Sequence, residues 1–191
     1  DLNIASKVLS EYAQRLGAMI AISSVTSQSL EIQHVLDTAA DKVREVMDLE
    51  SVIIFLLNDE SQELELKTCR GVSEDFVNGF RGLKVGEGFH GQVAQSGEPL
   101  LIDYSSQAPG FARELEKCEG IGAGLIVPLK AKGKVLGTIS VAPRGARQFM
   151  DEEVKLLTTI AGQIAIAIEN ARLYEKAHLA AQQALVSERR Y

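Results

Sequence analysis

The chain is poor in the residues that support covalent and metal chemistry. It has two cysteines, three histidines, four prolines and no tryptophan among 191 residues. Cys69 and Cys118 stand far apart, outside any C-x-x-C pair and with no neighbouring histidine, so their spacing predicts neither a disulfide framework nor a metal site. We therefore expect a reducing, cytoplasmic setting.

Long hydrophobic runs are also missing. A membrane-spanning helix needs about 18 consecutive apolar residues, whereas the most apolar stretch, IAGQIAIAI, is interrupted by Gly162 and Gln163. We therefore expect no membrane contact by this chain. Because it opens at Asp1 without a methionine, we also expect it to be a piece of a longer protein, whose other parts could include a membrane anchor.

The chain has no excess of positive charge, since 26 acidic residues outnumber 20 basic ones. The formal net charge is −6, which argues against a nucleic-acid partner because affinity for a polyanion comes mostly from Lys and Arg. Residues 130–147 are the local exception, with five basic side chains and no acidic one. This segment predicts either an exposed hairpin with charged edges or, less favoured, an anion-binding surface.

Apolar residues at heptad spacing mark both ends of the chain. One stripe lies in residues 1–26, and a second runs for about four repeats from Asp151 onward. The second stripe is longer than one domain face requires, so the pattern predicts a homodimer joined through its terminal helices. The expected interface residues are Leu9, Leu16, Leu157, Ile164, Ala171, Tyr174 and His178.

The segment between the two stripes predicts a mixed domain of helices and antiparallel strands. LEIQHVLDTAADKVREVMD has the wide apolar face of a helix that covers a sheet. SVIIFLLND, LELKTCRG and PLLID predict strands, and AGLIVPLKAKGKVLGTISVAP predicts a hairpin that turns at Lys132 and Gly133. The long excursion YSSQAPGFARELEKCEGIG precedes this hairpin, and such excursions are often functional.

GEGFHG, residues 86–91, spells the G-x-G-x-x-G pattern of dinucleotide-binding folds. That fingerprint requires a full helix after it, but Gly97 and Pro99 end any helix after little more than one turn. We interpret the stretch as a tight turn before a brief helix. An anion site at the start of that helix is the minor alternative.

Four segments together resemble the GAF domain family over roughly residues 27 to 177. They are SLEIQHVLDTAADKVREVMDLESVIIFLLND, GEGFHGQVAQSGEPLLIDY, GLIVPLKAKGKVLGTISV and FMDEEVKLLTTIAGQIAIAIENARLYEKA. The resemblance implies an α+β, GAF/PAS-like fold: an antiparallel sheet with helices on one face and a loop-covered pocket on the other, and long N- and C-terminal helices. The expected parts are an N-terminal helix (1–26), the GAF domain (27–172) and a signalling helix (173–191).

GAF domains are mostly binding modules, so the resemblance implies a small-ligand pocket under the loops. A strand-end carboxylate such as Asp103 either caps the following turn or meets a polar ligand group. The expected wall and floor residues, which would equally describe a packed core, are Phe55, His90, Asp103, Tyr104, Phe111, Leu115, Cys118, Val127 and Ser140.

The ligand or cofactor stays unknown. The resemblance disfavours a cyclic nucleotide, because Pro143 and Arg144 stand where binding members often have Asn-Lys. A covalent bilin is disfavoured as well, since Phe111 and Ala112 replace the Cys-His pair of bilin-binding members. For haem, His90 is the one histidine near the expected pocket, although a hydrogen-bonding role is the more common one.

The enzymatic alternative within the family is free methionine sulfoxide reductase. Cys118 lies close to where that enzyme has its catalytic cysteine. The positions of the further cysteines hold Asn78, Phe80 and His90, so an external thiol would have to complete the cycle. We therefore expect no catalysis by this chain and interpret Cys118 as a small apolar pocket residue.

The sequence thus predicts a cytoplasmic sensory GAF domain of a bacterial signalling protein, specifically a histidine kinase. The closing ALVSERRY resembles the lead-in to a C-terminal output domain. A ligand-free dimerisation and relay module is the rival interpretation, with the pocket filled by the domain's own side chains.

Overall fold

A computed structural model of the chain describes residues 28–103, 122–143 and 147–188, together with helical positions 3, 4, 7, 8 and 11. The described strands form one five-stranded sheet in the order β2-β1-β5-β4-β3, and every pairing is antiparallel. This confirms the predicted α+β class. The elements in chain order are α1 (Gln28–Val46), β1 (Leu49–Leu57), β2 (Leu64–Arg70), α2 (Glu74–Asn78), α3 (Gly88–Ser96), β3 (Leu100–Asp103), β4 (Ala123–Ala131), β5 (Lys134–Pro143) and α4 (Asp151–Glu188).

Helices α1 and α4 cover one face of the sheet, which we call the helical face. Side chains alternate along a strand, so Val52 and Ile54 of β1 point to this face. They pack with Leu36 of α1 and with Leu157 and Ile164 of α4 in the largest apolar cluster of the described residues. The other side of the sheet, which we call the loop face, carries α2 and α3 with their connecting loops.

The prediction that Leu157 and Ile164 meet a second chain is wrong. Their side chains are 0% and 3% exposed because this stretch of the heptad stripe covers the sheet of its own subunit. Ala171 is buried as well. Leu9 and Leu16 lie outside the described residues, and for the exposed Tyr174 and half-buried His178 the interface role stays a prediction.

The first turn of α4 is linked through Arg147 to Met47, the residue that follows α1. Glu153 accepts hydrogen bonds from the Arg147 guanidinium at 2.6 Å and from the backbone N–H of Met150 at 2.9 Å. The same guanidinium donates to the carbonyl of Met47 at 2.9 Å. The helix dipole also stabilises a negatively charged carboxylate at this N-terminal end of the helix. From this anchored start, α4 continues unbroken to Glu188, so that residues 173–188 of the expected signalling helix directly continue the helix that packs on the sheet.

The basic hairpin predicted around Lys132 and Gly133 is present, with φ of 48° and 79° at these two residues. Two of its charges are paired within the subunit: Lys134 contacts Asp59 at 2.8 Å and Lys132 contacts Glu169 at 3.4 Å. These ion pairs favour the charged-hairpin interpretation over the anion-binding surface.

We predict that Leu157→Ala lowers the free energy of unfolding by about 2–5 kcal/mol, because it leaves a cavity in the packed helical face. The matched control, Leu179→Ala, lies on the same helix at 50% exposure and should cost less than about 0.5 kcal/mol. Urea unfolding of both variants tests this. Equal losses would show that α4 is not packed as described.

Candidate functional site

The loop face of the sheet has two unlike halves. One half is aromatic and centres on Phe55 of β1, which packs in a cluster with Phe76 of α2 and the neighbouring Phe80. The other half has small side chains of β1 and β5 and isoleucines of β1, β3 and β4, of which Ile53 and Ala142 also pack with the aromatic cluster. The imidazole of His90 belongs to the aromatic half.

His90 is held on the sheet by α3 and is 4% exposed. Its ring centroid lies 4.6 Å from that of Phe55 and 5.6 Å from that of Phe80, both in edge-type geometry. Nδ1 is hydrogen-bonded to Oγ1 of Thr138 on β5 at 2.9 Å. The residue is thus a hydrogen-bonded part of the loop-face core.

Burial keeps this imidazole uncharged. Removal from water disfavours the imidazolium and lowers the pKa of His90 from its ordinary 6.5 to about 3. The Thr138 hydroxyl satisfies one ring nitrogen without adding charge. At neutral pH His90 therefore presents an uncharged ring and has no proton to supply as an acid.

The second half of the loop face has a floor of small side chains. Ser51 pairs with Ala142, and Ile53 pairs with Ser140, across β1 and β5. Ile126 lies opposite Ser140 on β4. The floor continues to Gly124, which pairs with Ile102 of the edge strand β3. Small residues at the centre of a sheet leave volume above them, which only an overlying segment or a ligand can fill.

Three of the predicted pocket residues lie on the loop face: Phe55, His90 and Ser140. The prediction for Val127 is wrong, because it packs with the helical-face cluster and its neighbour Ile126 faces the loops. Asp103 is also misplaced. It pairs with Ala123, two residues before Leu125, so the register puts it on the helical face with Leu125.

Tyr104, Phe111, Leu115 and Cys118 lie outside the described residues. The sequence reasoning missed Phe76, Phe80 and Thr138. Thr138 is two residues before Ser140 on β5 and therefore lies on the same face of the sheet. The alternation of side chains along the strand could have predicted it as a loop-face residue. No comparable signal pointed to the two phenylalanines.

The glycines of GEGFHG serve the turn into α3. A Cβ at Gly91 would lie 2.3 Å from the carbonyl oxygen of Lys84, so only glycine fits there. Gly97 ends α3 in the left-handed region at φ 68°. Glu87 precedes the helix and accepts the Lys84 N–H, which places negative charge where a phosphate would bind. The tight-turn interpretation agrees with this geometry.

The described part of the chain has neither a metal-binding cluster nor a membrane-spanning helix. Within residues 28–103, 122–143 and 147–188, His, Cys, Asp and Glu nowhere form a group of three or more that could hold a metal ion. Over the same ranges, none of the helices has the length and apolar character of a membrane span.

A sequence profile of the GAF domain matches residues 29–169. The chain belongs to the GAF domain family. This GAF domain is 30% identical over 176 residues to the Nif-specific regulatory protein of Herbaspirillum seropedicae, covering 88% of this chain and 31% of that protein. It is 23% identical over 182 residues to the formate hydrogenlyase transcriptional activator of Salmonella typhimurium, covering 92% of this chain and 26% of that protein. The domain therefore spans about a third or less of the regulators that it matches.

Solved structures show the same fold. A GAF domain of a Coxiella burnetii phosphoenolpyruvate-protein phosphotransferase matches with TM-score 0.67 at 21% identity, over 90% of this chain and 98% of that one. A domain of a two-component sensor histidine kinase from Sinorhizobium meliloti gives 0.65 at 21%, over 76% and 96%. The free methionine-R-sulfoxide reductase of Neisseria meningitidis gives 0.65 at 17%, over 88% and 92%.

The buried His90 makes stability depend on pH. Its pKa is about 3 in the folded chain and near 6.5 when unfolded, so between these values the unfolded state binds one more proton. Stability is therefore lost as pH falls below 6.5. We predict that His90→Gln, which can keep the Thr138 hydrogen bond, removes about 2 kcal/mol of the loss that the wild type suffers between pH 6.5 and 4.5.

Urea unfolding at a series of pH values measures this difference, with the exposed Gln92→Ala on the same helix as control. Gln92→Ala should follow the wild-type curve. Parallel curves for His90→Gln and the wild type would mean that His90 is solvated in the folded chain.

Proposed function

We propose that this GAF domain is a regulatory module that binds a small ligand on its loop face, as part of a bacterial signalling protein. The observation that carries the proposal is the floor of small side chains beside the aromatic cluster. Ser51, Ser140 and Ala142 are buried at three central positions of the loop face, beside the phenylalanines and His90, and Ala142 packs with the aromatic cluster. A ligand is the natural occupant of the volume that such residues leave.

The side chains of the floor also restrict the polarity and charge of a ligand that could bind there. Ile53, Ile102 and Ile126 border the small residues, and the polar groups among them are the hydroxyls of Ser51 and Ser140. The described floor offers no ionisable side chain for a charged ligand. We propose a small and mostly uncharged ligand that lays an apolar part on the sheet. Any further recognition would come from residues 104–121, which follow β3 in the chain.

The output of the domain is proposed from the comparisons. The sequence predicted a histidine kinase, and the Sinorhizobium meliloti domain of similar fold supports that idea. The two curated relatives are a Nif-specific regulatory protein and a transcriptional activator, and their matches cover more of this chain. We therefore favour a transcription-regulating output over the kinase. In either case α4 would carry the signal out of a homodimeric, cytoplasmic module.

The rival proposal is a ligand-free relay module. It is favoured by the aromatic cluster, since Phe55, Phe76, Phe80 and His90 already fill part of the loop face with the domain's own side chains. The thiol-enzyme alternative depends on Cys118, which lies outside the described residues. The similarity to the Neisseria meningitidis reductase, at 17% identity, shows a shared fold and does not support a shared activity.

Enlarging the floor distinguishes the ligand-binding domain from the relay. If a ligand-sized volume lies above Ala142, Ala142→Leu should cost less than about 1 kcal/mol in the ligand-free chain, because the larger side chain enters free space. The matched control is Ala165→Leu on α4, in the packed helical face, where overpacking should cost about 1–3 kcal/mol.

Denaturant unfolding of the two leucine variants measures both costs, after refolding to remove any retained molecule. Equal penalties at Ala142 and Ala165 would show that the loop face is as tightly packed as the helical face. That result would favour the relay.

A further inference from the structure

The imidazole of His90 has one ring nitrogen bonded and one unbonded. Its side chain is 4% exposed, and Nδ1 lies 2.9 Å from Oγ1 of Thr138. Nε2 has no hydrogen-bond partner among the residues that the structure describes. Within those residues, the one fully buried polar side-chain atom that lacks a partner is Nε of Arg44. Nε2 is therefore not sealed and can reach a group beside the ring.

The position of the ring proton follows from Thr138. This residue is 0% exposed, and in the described part of the chain its side-chain hydrogen bond is the one to Nδ1 of His90. A buried hydroxyl proton needs an acceptor, and Nδ1 is the acceptor within reach. Thr138 therefore donates to Nδ1. Because a neutral imidazole carries a single proton, that proton is on Nε2.

The imidazole borders the proposed ligand site. Thr138 pairs with Phe55 across β5 and β1, and the next pair on the same face is Ser140 with Ile53. Successive pairs on one face of a sheet are about 7 Å apart. The ring contacts both members of the first pair. It therefore forms a wall beside the floor to which the second pair belongs.

We propose that the Nε2–H group of His90 is the hydrogen-bond donor of the loop-face site and selects a small, uncharged ligand by its carbonyl oxygen. This inference rests on the proposed function, because it requires a ligand above the floor. A carbonyl suits the site because it accepts a hydrogen bond without bringing a proton that needs a partner of its own. A carboxylate would also accept, but a single neutral donor does not offset the burial of a charge.

The surroundings of His90 keep this donor neutral and fix its tautomer. Burial lowers the pKa of His90 to about 3, so at neutral pH the ring offers its N–H without a positive charge. Thr138 is a positioning residue, since its hydroxyl decides which ring nitrogen carries the proton. A protonated ring nitrogen does not coordinate a metal, so the same arrangement opposes the haem alternative.

Nitrogen-15 NMR of the wild-type chain tests the tautomer directly. We expect the His90 imidazole to show a protonated Nε2 and an unprotonated Nδ1, with its signals assigned by their loss in His90→Gln. Thr138→Ser keeps the hydroxyl and should leave this pattern unchanged. A proton on Nδ1 in the wild type would overturn the proposal.

Two probes of similar shape test the selection of a carbonyl. Cyclohexanone has an oxygen where methylenecyclohexane has a CH₂ group, and titrations that follow the methyl signals of Ile53, Ile102 and Ile126 give both dissociation constants. His90→Phe combined with Thr138→Val removes both hydrogen-bonding partners together, so neither is left unpaired. We expect this double variant to weaken cyclohexanone relative to methylenecyclohexane by about fivefold or more. Thr138→Ser should keep the wild-type preference.

The possible results separate the donor role from the ligand site. If both probes bind and the double variant keeps the wild-type preference, the donor role is overturned and the site remains. If neither probe moves the methyl signals of the wild type, the site is contradicted and the donor role with it. Circular dichroism verifies the fold of the double variant, and the tautomer measurement on the wild type does not depend on that fold.

Discussion

The burial of β1 and β5 on both sides of the sheet is the constraint on which the rest of the structure depends. Each of these strands lies between two others, so alternate residues must satisfy two different environments. On β1, Val52 and Ile54 are committed to the helical face, and Ile53 and Phe55 to the loop face. One face becomes a close-packed core that anchors α4, and the other is the face on which we propose that a ligand binds.

An uncharged imidazole holds the aromatic half of the loop face together. His90 joins α3 to β5 through Thr138 and contacts Phe55 of β1. A charged ring would need water or a counter-charge in this position, and neither Phe55 nor Phe80 can supply it. The neutral ring therefore completes one half of the face with side chains, and we propose that a ligand lies over the small residues of the other half.

The sequence predicted the fold, but it predicted only in part which side chains lie on which face of the sheet. GLIVPL is apolar at nearly every position, so its sequence does not show which alternate residues face the helices and which face the loops. The prediction therefore put Val127 on the loop face, where Ile126 lies. Ile164 was misassigned because a heptad stripe indicates an apolar helix face without saying what covers it. The contact between His90 and Thr138 joins residues 48 positions apart, which no local pattern records.

Isoleucine methyl spectra under xenon pressure test the unequal packing of the two faces most directly, because xenon enters apolar volumes that a close-packed core lacks. The account predicts that xenon shifts the methyl signals of Ile53, Ile102 and Ile126 on the loop face. The signals of Ile54, Ile139 and Ile164 in the helical-face cluster should stay in place. Unmoved loop-face signals, or equal shifts on both faces, would contradict it.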